Sequence, residues 1–157
     1  MQLQIKQRVF SWTDTYDVYD EFGNTRYFVK AEFFTLGHHI HVYRKDTGEE
    51  VGAIHQRLLT FQPKFDIELG GQIVGTVSRE MTFFRPKYHV DFRNWSVEGD
   101  MLEWNYRVMQ GSMEVMTIEK EWLTWGDTYV LRYSNPAFEL PGLMVVLAID
   151  AANCHDD

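Results

Sequence analysis

Cysteine is nearly absent from this sequence, which has a single one, Cys154, among 157 residues. One cysteine cannot form an internal disulfide, and a chain without a disulfide framework is typical of a reducing compartment. Residues 1–10 alternate polar and apolar side chains, and they lack the charged start and the apolar run of a secretory signal. We therefore expect a cytoplasmic protein.

A long apolar run and an excess of positive charge are also missing. The longest apolar run, residues 143–149, is well short of the roughly 20 residues that a membrane-spanning helix needs. The 15 Lys and Arg residues against 23 Asp and Glu give a formal net charge of -8. The short run predicts no transmembrane segment. Because the negative charge repels nucleic acids and anionic membranes at long range, the sequence also predicts no nucleic-acid partner.

What the sequence has in quantity is strand-like alternation. Apolar and polar side chains alternate through residues 2–9, 26–33, 87–93 and 102–108, as in strands with one face in a core. Turn signals separate such runs at residues 22–24, 46–48, 70–71, 98–100, 110–112 and 125–127. A weak repeat at residues 40–54, 65–77 and 106–118 fits repeated hairpins. The pattern predicts one soluble all-β domain over residues 1–157, with consecutive strands antiparallel.

The C-terminal segment departs from this alternation. After Pro141 comes an apolar stretch that contains Leu143, Met144, Val145, Val146, Leu147 and Ile149. Proline suits the first turn of a helix, and apolar residues on every side indicate a helix that is buried all round. A buried strand is the alternative, because Val and Ile also favour sheet. We expect a helix that plugs a closed antiparallel barrel.

Five stretches carry a resemblance to a known family. They are residues 16–24, 40–48, 95–100, 127–131 and 147–150, in that order along the chain. With the apolar terminal helix after a run of hairpins, the chain resembles the LURP-one-related family, whose relatives include the tubby C-terminal domain and the phospholipid scramblases. The resemblance implies a barrel of about a dozen strands around a central hydrophobic C-terminal helix.

The resemblance implies less about function. Tubby domains bind phosphoinositide headgroups and scramblases are membrane-associated, whereas many LURP-one-related proteins have no assigned biochemical role. This chain shows neither a scramblase-like acidic calcium loop nor a cluster of cysteines for palmitoylation. The resemblance therefore implies the fold, and a phospholipid headgroup is one ligand class among several.

Candidate metal and catalytic residues are few. Alternation sends His39 and His41 to one strand face and His38 to the other, and no Cys or Glu with ligand spacing accompanies them. His89 and Asp91 share a face, where cross-strand charge pairing explains them without chemistry. The sequence has no nucleophile elbow and no phosphate-binding glycine loop. It predicts no metal site, no cofactor and no enzyme.

A basic cluster is the one local departure from the acidic balance. It consists of Arg79, Arg85, Lys87 and Arg93, interrupted by aromatic residues at 83 and 84. Cationic side chains beside exposed rings suit a phosphate or a lipid headgroup. An ordinary loop whose aromatics close one end of the barrel is the alternative. This cluster is the candidate anion site.

These observations lead to a function hypothesis with one rival. We expect a non-enzymatic cytoplasmic barrel that binds a protein partner or an anionic ligand on its outer surface. The rival is a small-molecule carrier of lipocalin type, whose barrel keeps its interior open. The position of residues 143–149 distinguishes the two.

Overall fold

A computed structural model describes residues 1–6, 13–34, 37–80, 87–100, 103, 105–123 and 126–153. Within them the chain forms a 12-stranded antiparallel sheet, followed by a short 3-10 turn and one α-helix. The strands are β1 (Gln2–Lys6), β2 (Thr13–Asp20), β3 (Thr25–Phe34), β4 (Gly37–Arg44), β5 (Glu50–Gln56), β6 (Lys64–Leu69), β7 (Gln72–Glu80), β8 (Lys87–Asp91), β9 (Trp95–Asp100), β10 (Asn105–Gln110), β11 (Met113–Leu123) and β12 (Gly126–Tyr133). The prediction of about a dozen antiparallel strands is confirmed.

The strand order shows how the sheet becomes a barrel. It runs β8-β7-β6-β5-β4-β3-β2-β1-β12-β11-β10-β9, so the first strand, β1, pairs with the last strand, β12. The two outermost strands, β8 and β9, are consecutive and are joined by residues 92–94 alone. Because so short a connection keeps its ends together, the sheet curls until these edges lie side by side. The barrel is nearly closed, since no ladder joins β8 to β9 among the described residues.

One predicted turn is wrong, and one tight turn was not predicted. Gly99 lies inside β9, not in a turn, and a Cβ there would come 2.7 Å from the carbonyl oxygen of Asn105. That glycine therefore permits a close approach of β9 and β10. The tight connection between β8 and β9 contains no glycine, and Arg93 and Asn94 supply its positive φ values of 53° and 56°.

The helix α1 (Glu139–Asn153) occupies the interior of the barrel. It follows a 3-10 turn (Pro136–Phe138), whose first residues are capped because the Asn135 side chain accepts a hydrogen bond from the Ala137 amide. All the predicted plug residues are buried: Leu143, Met144, Val145, Val146, Leu147 and Ile149. The sequence prediction of a buried helix, with Pro141 in its first turn, is confirmed over the strand alternative.

Packing around the helix is close on several sides. A Cβ on Gly142 would fall 1.6 Å from the Met116 side chain, and one on Gly52 of β5 would fall 2.7 Å from the sulfur of Met144. Inward residues of the strands complete the core, among them Phe65, Ile67 and Ile118. Burial of an aliphatic or aromatic side chain contributes about 1.5–3 kcal/mol. The buried side chains of the helix therefore supply a large part of the hydrophobic stabilisation of the core.

By length and composition alone, Pro136–Asn153 is apolar enough to cross a bilayer, with a mean hydropathy of 1.2. Two thirds of this stretch (67%) is buried inside the protein. The core helix of a globular protein passes the same compositional test, so this observation is weak evidence for a membrane span.

Candidate functional site

The two ends of the barrel are defined by the helix. Glu139 begins α1 at the entry end, beside the first residues of β3 and the last of β12, and it binds Tyr27 and Tyr133 there. Arg79, near the end of β7, reaches the last turn of α1 at the exit end. Because antiparallel strands alternate in direction, the β5–β6 connection lies at the exit end and the β2–β3 turn at the entry end.

At the entry end, Glu139 is held by three donors. The Tyr27 hydroxyl donates to Oε1 over 2.7 Å, the Arg26 guanidinium donates to the same oxygen over 2.9 Å, and the Tyr133 hydroxyl donates to Oε2. Burial by itself raises the pKa of Glu139, but the hydrogen bonds from Tyr133, Tyr27 and Arg26 outweigh it and hold the pKa below its usual value. The carboxylate also suits the positive end of the helix dipole.

At the exit end, the polar groups lie in the barrel interior. Arg79 is 6% exposed and donates from Nη1 to the carbonyl oxygen of Ala152 over 3.2 Å, which places a cation at the negative end of the helix dipole. Part of Asp150 is solvent-accessible, yet desolvation of its carboxyl raises the pKa from 3.8 to about 7. Tyr106 lies beside it, and burial raises the pKa of that phenol well above its usual value.

The structure separates Arg79 from Arg93, the two members of the predicted basic cluster whose side chains it describes. Arg79 points into the barrel, whereas Arg93 is exposed and stacks with its guanidinium carbon 5.4 Å from the ring centroid of Phe92. Lys87 begins β8, but its side chain and the whole of Arg85 lie outside the described residues. Arg79 shares an inward face with Val77, as the period of two in β7 indicates. The anion site therefore stays a prediction that Arg79 does not support.

An apolar loop at the exit end, residues 57–63, was not singled out from the sequence. It exposes Leu59 fully (106%), Phe61 fully (101%) and Leu58 by half (53%). Leu59 adopts the left-handed backbone region, with a φ of 57°. The loop base is closed because the amide of Arg57 donates to the carbonyl of Lys64 over 2.8 Å, and the Arg57 guanidinium is paired with Asp66.

A group of histidines lies on the outer face of β4 and β5. His39 and His55 are direct cross-strand partners, and their Nδ1 atoms are 2.9 Å apart. His55 Nε2 lies 2.9 Å from a carboxylate oxygen of Glu68 on β6. Next to this pair, His41 Nδ1 lies 2.6 Å from Glu50. Burial lowers the pKa of His39, and the nearby His55 and His41 lower it further.

The sequence pattern singles out the histidines of β4 but not their partners on β5 and β6. His55 and Glu68 are 16 and 29 positions beyond His39, which is too far for a spacing motif. The repeated hairpin pattern was the available signal, because it implies that β4 pairs with β5 and β5 with β6. Among the described residues, no three His, Cys, Asp or Glu side chains form a group that could hold a metal ion.

Comparison with known proteins identifies the family. The model of the LURP-one-related family matches residues 1–149. The chain belongs to the LURP-one-related family. A curated relative, the Bacillus subtilis protein named "Uncharacterized protein YxjI", is 29% identical over 159 residues, covering 100% of this chain and 98% of the relative.

A solved structure supports the fold of this LURP-one-related chain. An X-ray structure of an Arabidopsis thaliana protein superposes with a TM-score of 0.63 at 19% sequence identity, covering 95% of this chain and 89% of the other. At that identity the likeness concerns the fold alone. Neither these relatives nor the described residues point to a catalytic reaction.

Proposed function

We propose that this barrel is a non-enzymatic recognition domain of the cytoplasm that binds a protein partner through its apolar loop. The filled interior supports this proposal over the carrier alternative. Leu143, Met144 and Val146 are 0% exposed and occupy the space in which a carrier holds its ligand. A partner would therefore bind to the outer surface of the barrel.

The observation that carries the proposal is the exposure of three large apolar side chains on one loop. Leu58, Leu59 and Phe61 lie within four consecutive positions at the exit end. Contiguous exposed apolar groups of this kind mark interaction sites, whereas scattered ones need no explanation. Burying each in a partner contributes about 1.5–3 kcal/mol, which is enough for a small hot spot.

The backbone of the loop supports the same conclusion. A left-handed conformation at a residue with a Cβ costs about 1–2 kcal/mol, and Leu59 adopts it with its side chain in solvent. Such strain is concentrated at binding sites. The backbone hydrogen bond from Arg57 to Lys64 and the Arg57–Asp66 pair fix the two ends of the loop, which lowers the cost of ordering it on binding.

Site-specific photo-crosslinking in living cells tests the proposal. We expect discrete protein adducts when a photoreactive amino acid replaces Phe61, because that ring contacts the partner. Phe22, 82% exposed at the entry end, is the matched control position and should give none. Adding Leu58→Ser and Leu59→Ser to the Phe61 variant should remove the adducts, while the free energy of unfolding stays within about 0.5 kcal/mol.

Two outcomes contradict the proposal. Adducts that are equally abundant at positions 22 and 61 would show unspecific contact, and none at 61 would show that the loop has no protein partner. The anionic-ligand hypothesis is tested in parallel with phosphatidylglycerol vesicles at low and high salt. Binding that falls with salt and is lost on replacing Lys87 and Arg93 by Ala, with no adduct at 61, would favour the headgroup instead.

A further inference from the structure

We propose that His39 and His55 clamp a divalent transition-metal ion, of the copper, nickel and zinc class, between their Nδ1 atoms. The two residues lie directly opposite each other on β4 and β5. This register presents both side chains to the same outer face as directly opposite neighbours, whose Cβ atoms lie about 4.5–5.5 Å apart in an antiparallel sheet. The clamp is thus built by strand pairing.

The distance between the two nitrogens suits a shared metal. With metal–nitrogen bonds of about 2.0–2.1 Å and a tetrahedral angle, two ligating nitrogens are about 3.3 Å apart. The Nδ1 atoms of His39 and His55 are 2.9 Å apart. In the hydrogen-bonded pair, one of the two Nδ1 atoms carries a ring hydrogen. Metal binding therefore needs an opening of about 0.4 Å, within the reach of a small side-chain rotation, and the movement of that hydrogen to Nε2 of the same ring, so that both Nδ1 atoms present a lone pair.

Glu68 prepares His55 as a ligand. A carboxylate accepts hydrogen bonds, so His55 Nε2, which lies 2.9 Å from Glu68 Oε2, carries the ring hydrogen. In the neutral ring this leaves the lone pair on Nδ1, the atom that faces His39. A ligating histidine typically donates its other ring N–H to a carboxylate in this way, which fixes the tautomer and raises its basicity.

The surroundings favour a cation at this pair. Burial, followed by the influence of His55 and His41, lowers the pKa of His39, so its ring is neutral at physiological pH. Glu50 and Glu68 lie within hydrogen-bond distance of His41 and His55. His41 is the nearest third imidazole, with its ring centroid 6.0 Å from that of His55. Water completes the coordination of a two-histidine clamp, and copper is expected to bind most tightly.

Calorimetric titration of the untagged protein with NiCl2 and ZnCl2 tests the clamp, in a Cys154→Ser background that removes thiol binding. We expect His39→Ala and His55→Ala each to weaken binding at least tenfold, because each removes one of two protein ligands. Glu68→Gln should weaken it by about tenfold, the lower limit for loss of a supporting carboxylate. His89→Ala, which removes an exposed histidine on β8, is the matched control and should bind like the parent.

Long-range proton–nitrogen NMR spectra of the histidine rings provide a second readout that does not depend on affinity. On addition of Zn2+, the Nδ1 resonances of His39 and His55 should shift while His55 Nε2 keeps its hydrogen. Equal binding by the parent and the His39→Ala and His55→Ala variants would overturn the proposal. Coordination through Nε2 of either residue would also overturn it, because the proposed ion lies between the two Nδ1 atoms.

Discussion

The carboxyl groups at the two ends of the central helix have pKa values that are shifted in opposite directions. Glu139 and Asp150 both lie on α1 inside the same barrel, but the pKa of Glu139 is lowered and that of Asp150 is raised to about 7. Burial raises both. The difference is that Glu139 accepts hydrogen bonds from Arg26, Tyr27 and Tyr133, whereas desolvation is the cause that acts on Asp150.

The two ends of the helix are held in different ways: at the entry end a carboxylate accepts hydrogen bonds from side chains, whereas at the exit end Arg79 donates to the backbone carbonyl of Ala152. Hydrogen bonds to an ionised group favour the charged form and offset desolvation. The entry end therefore joins α1 to β3 and β12 through a charged group, while the exit end holds a carboxyl that is more stable with its proton. Three variants remove or equalise this difference, and their expected effect on the stability of the fold decreases from the first to the last.

Removing the body of the helix together with its exit end has the largest expected effect. Deletion of the chain from Pro141 onward takes away all but the first two residues of the helix and leaves the inward side chains of the barrel, such as Phe65 and Ile118, without their packing partners. We expect an insoluble or molten product, detected by loss of the near-ultraviolet circular dichroism signal and of a cooperative thermal transition. A soluble truncated protein with a sharp transition would contradict the role of the helix as core.

Breaking the entry end alone should destabilise the protein substantially. Glu139→Ala leaves the hydroxyls of Tyr27 and Tyr133 inside the protein without this acceptor, and we expect a loss of about 3 kcal/mol at pH 7 from hydrogen bonds to a charged group. Urea unfolding measures it, with the exposed Glu49→Ala as the control. Because the pKa of Glu139 is lowered in the folded state, its contribution is present above the unfolded pKa and is lost as the pH falls through the folded value. A loss no larger than that of the control would contradict the anchoring role.

Neutralising the exit end should have the smaller and opposite effect. Between pH 4 and 7 the folded state holds a proton on Asp150 that the unfolded chain has released, so stability is full below the unfolded pKa and falls as the pH rises through about 7. Asp150→Asn removes this fall. Because part of the residue is accessible to solvent, we expect a gain of about 2 kcal/mol at pH 8, less than the full shift implies. An unchanged pH profile of urea unfolding would contradict the desolvation of Asp150.

The sequence sufficed for the architecture because the relevant signals are local. Alternation placed Leu3, Val29 and Val108 inward, and all three are 0% exposed. The apolar stretch after Pro141 predicted the buried helix for the same reason. A glycine can indicate either a turn or a close approach of two strands. At Gly99 the prediction of a turn was wrong, because this glycine permits the close approach of two strands.

The sites could not be predicted because they depend on contacts between distant parts of the chain. Glu139 binds Arg26 and Tyr27, 113 and 112 positions away, and His39 meets His55 only through the register of β4 and β5. For Arg79 a local signal was available. It lies two residues after the apolar Val77, on the same face of β7, which indicates an inward side chain. Its positive charge was given more weight, and it was assigned to the basic cluster. Strand order and register decide which polar side chains meet.

Titration of the two helix carboxyls by carbon-13 NMR tests the account most directly, because it measures both ends of α1 in the intact protein. The account predicts that Glu139 titrates below its usual pKa of 4.5 and that Asp150 titrates near 7. Opposite shifts of this kind are expected for a helix inside the barrel whose first turn is hydrogen-bonded and whose last turn is desolvated. If both carboxyls titrated at their usual values, neither the hydrogen-bonded entry end nor the desolvated exit end would be as described, and the contrast between the two ends would be wrong.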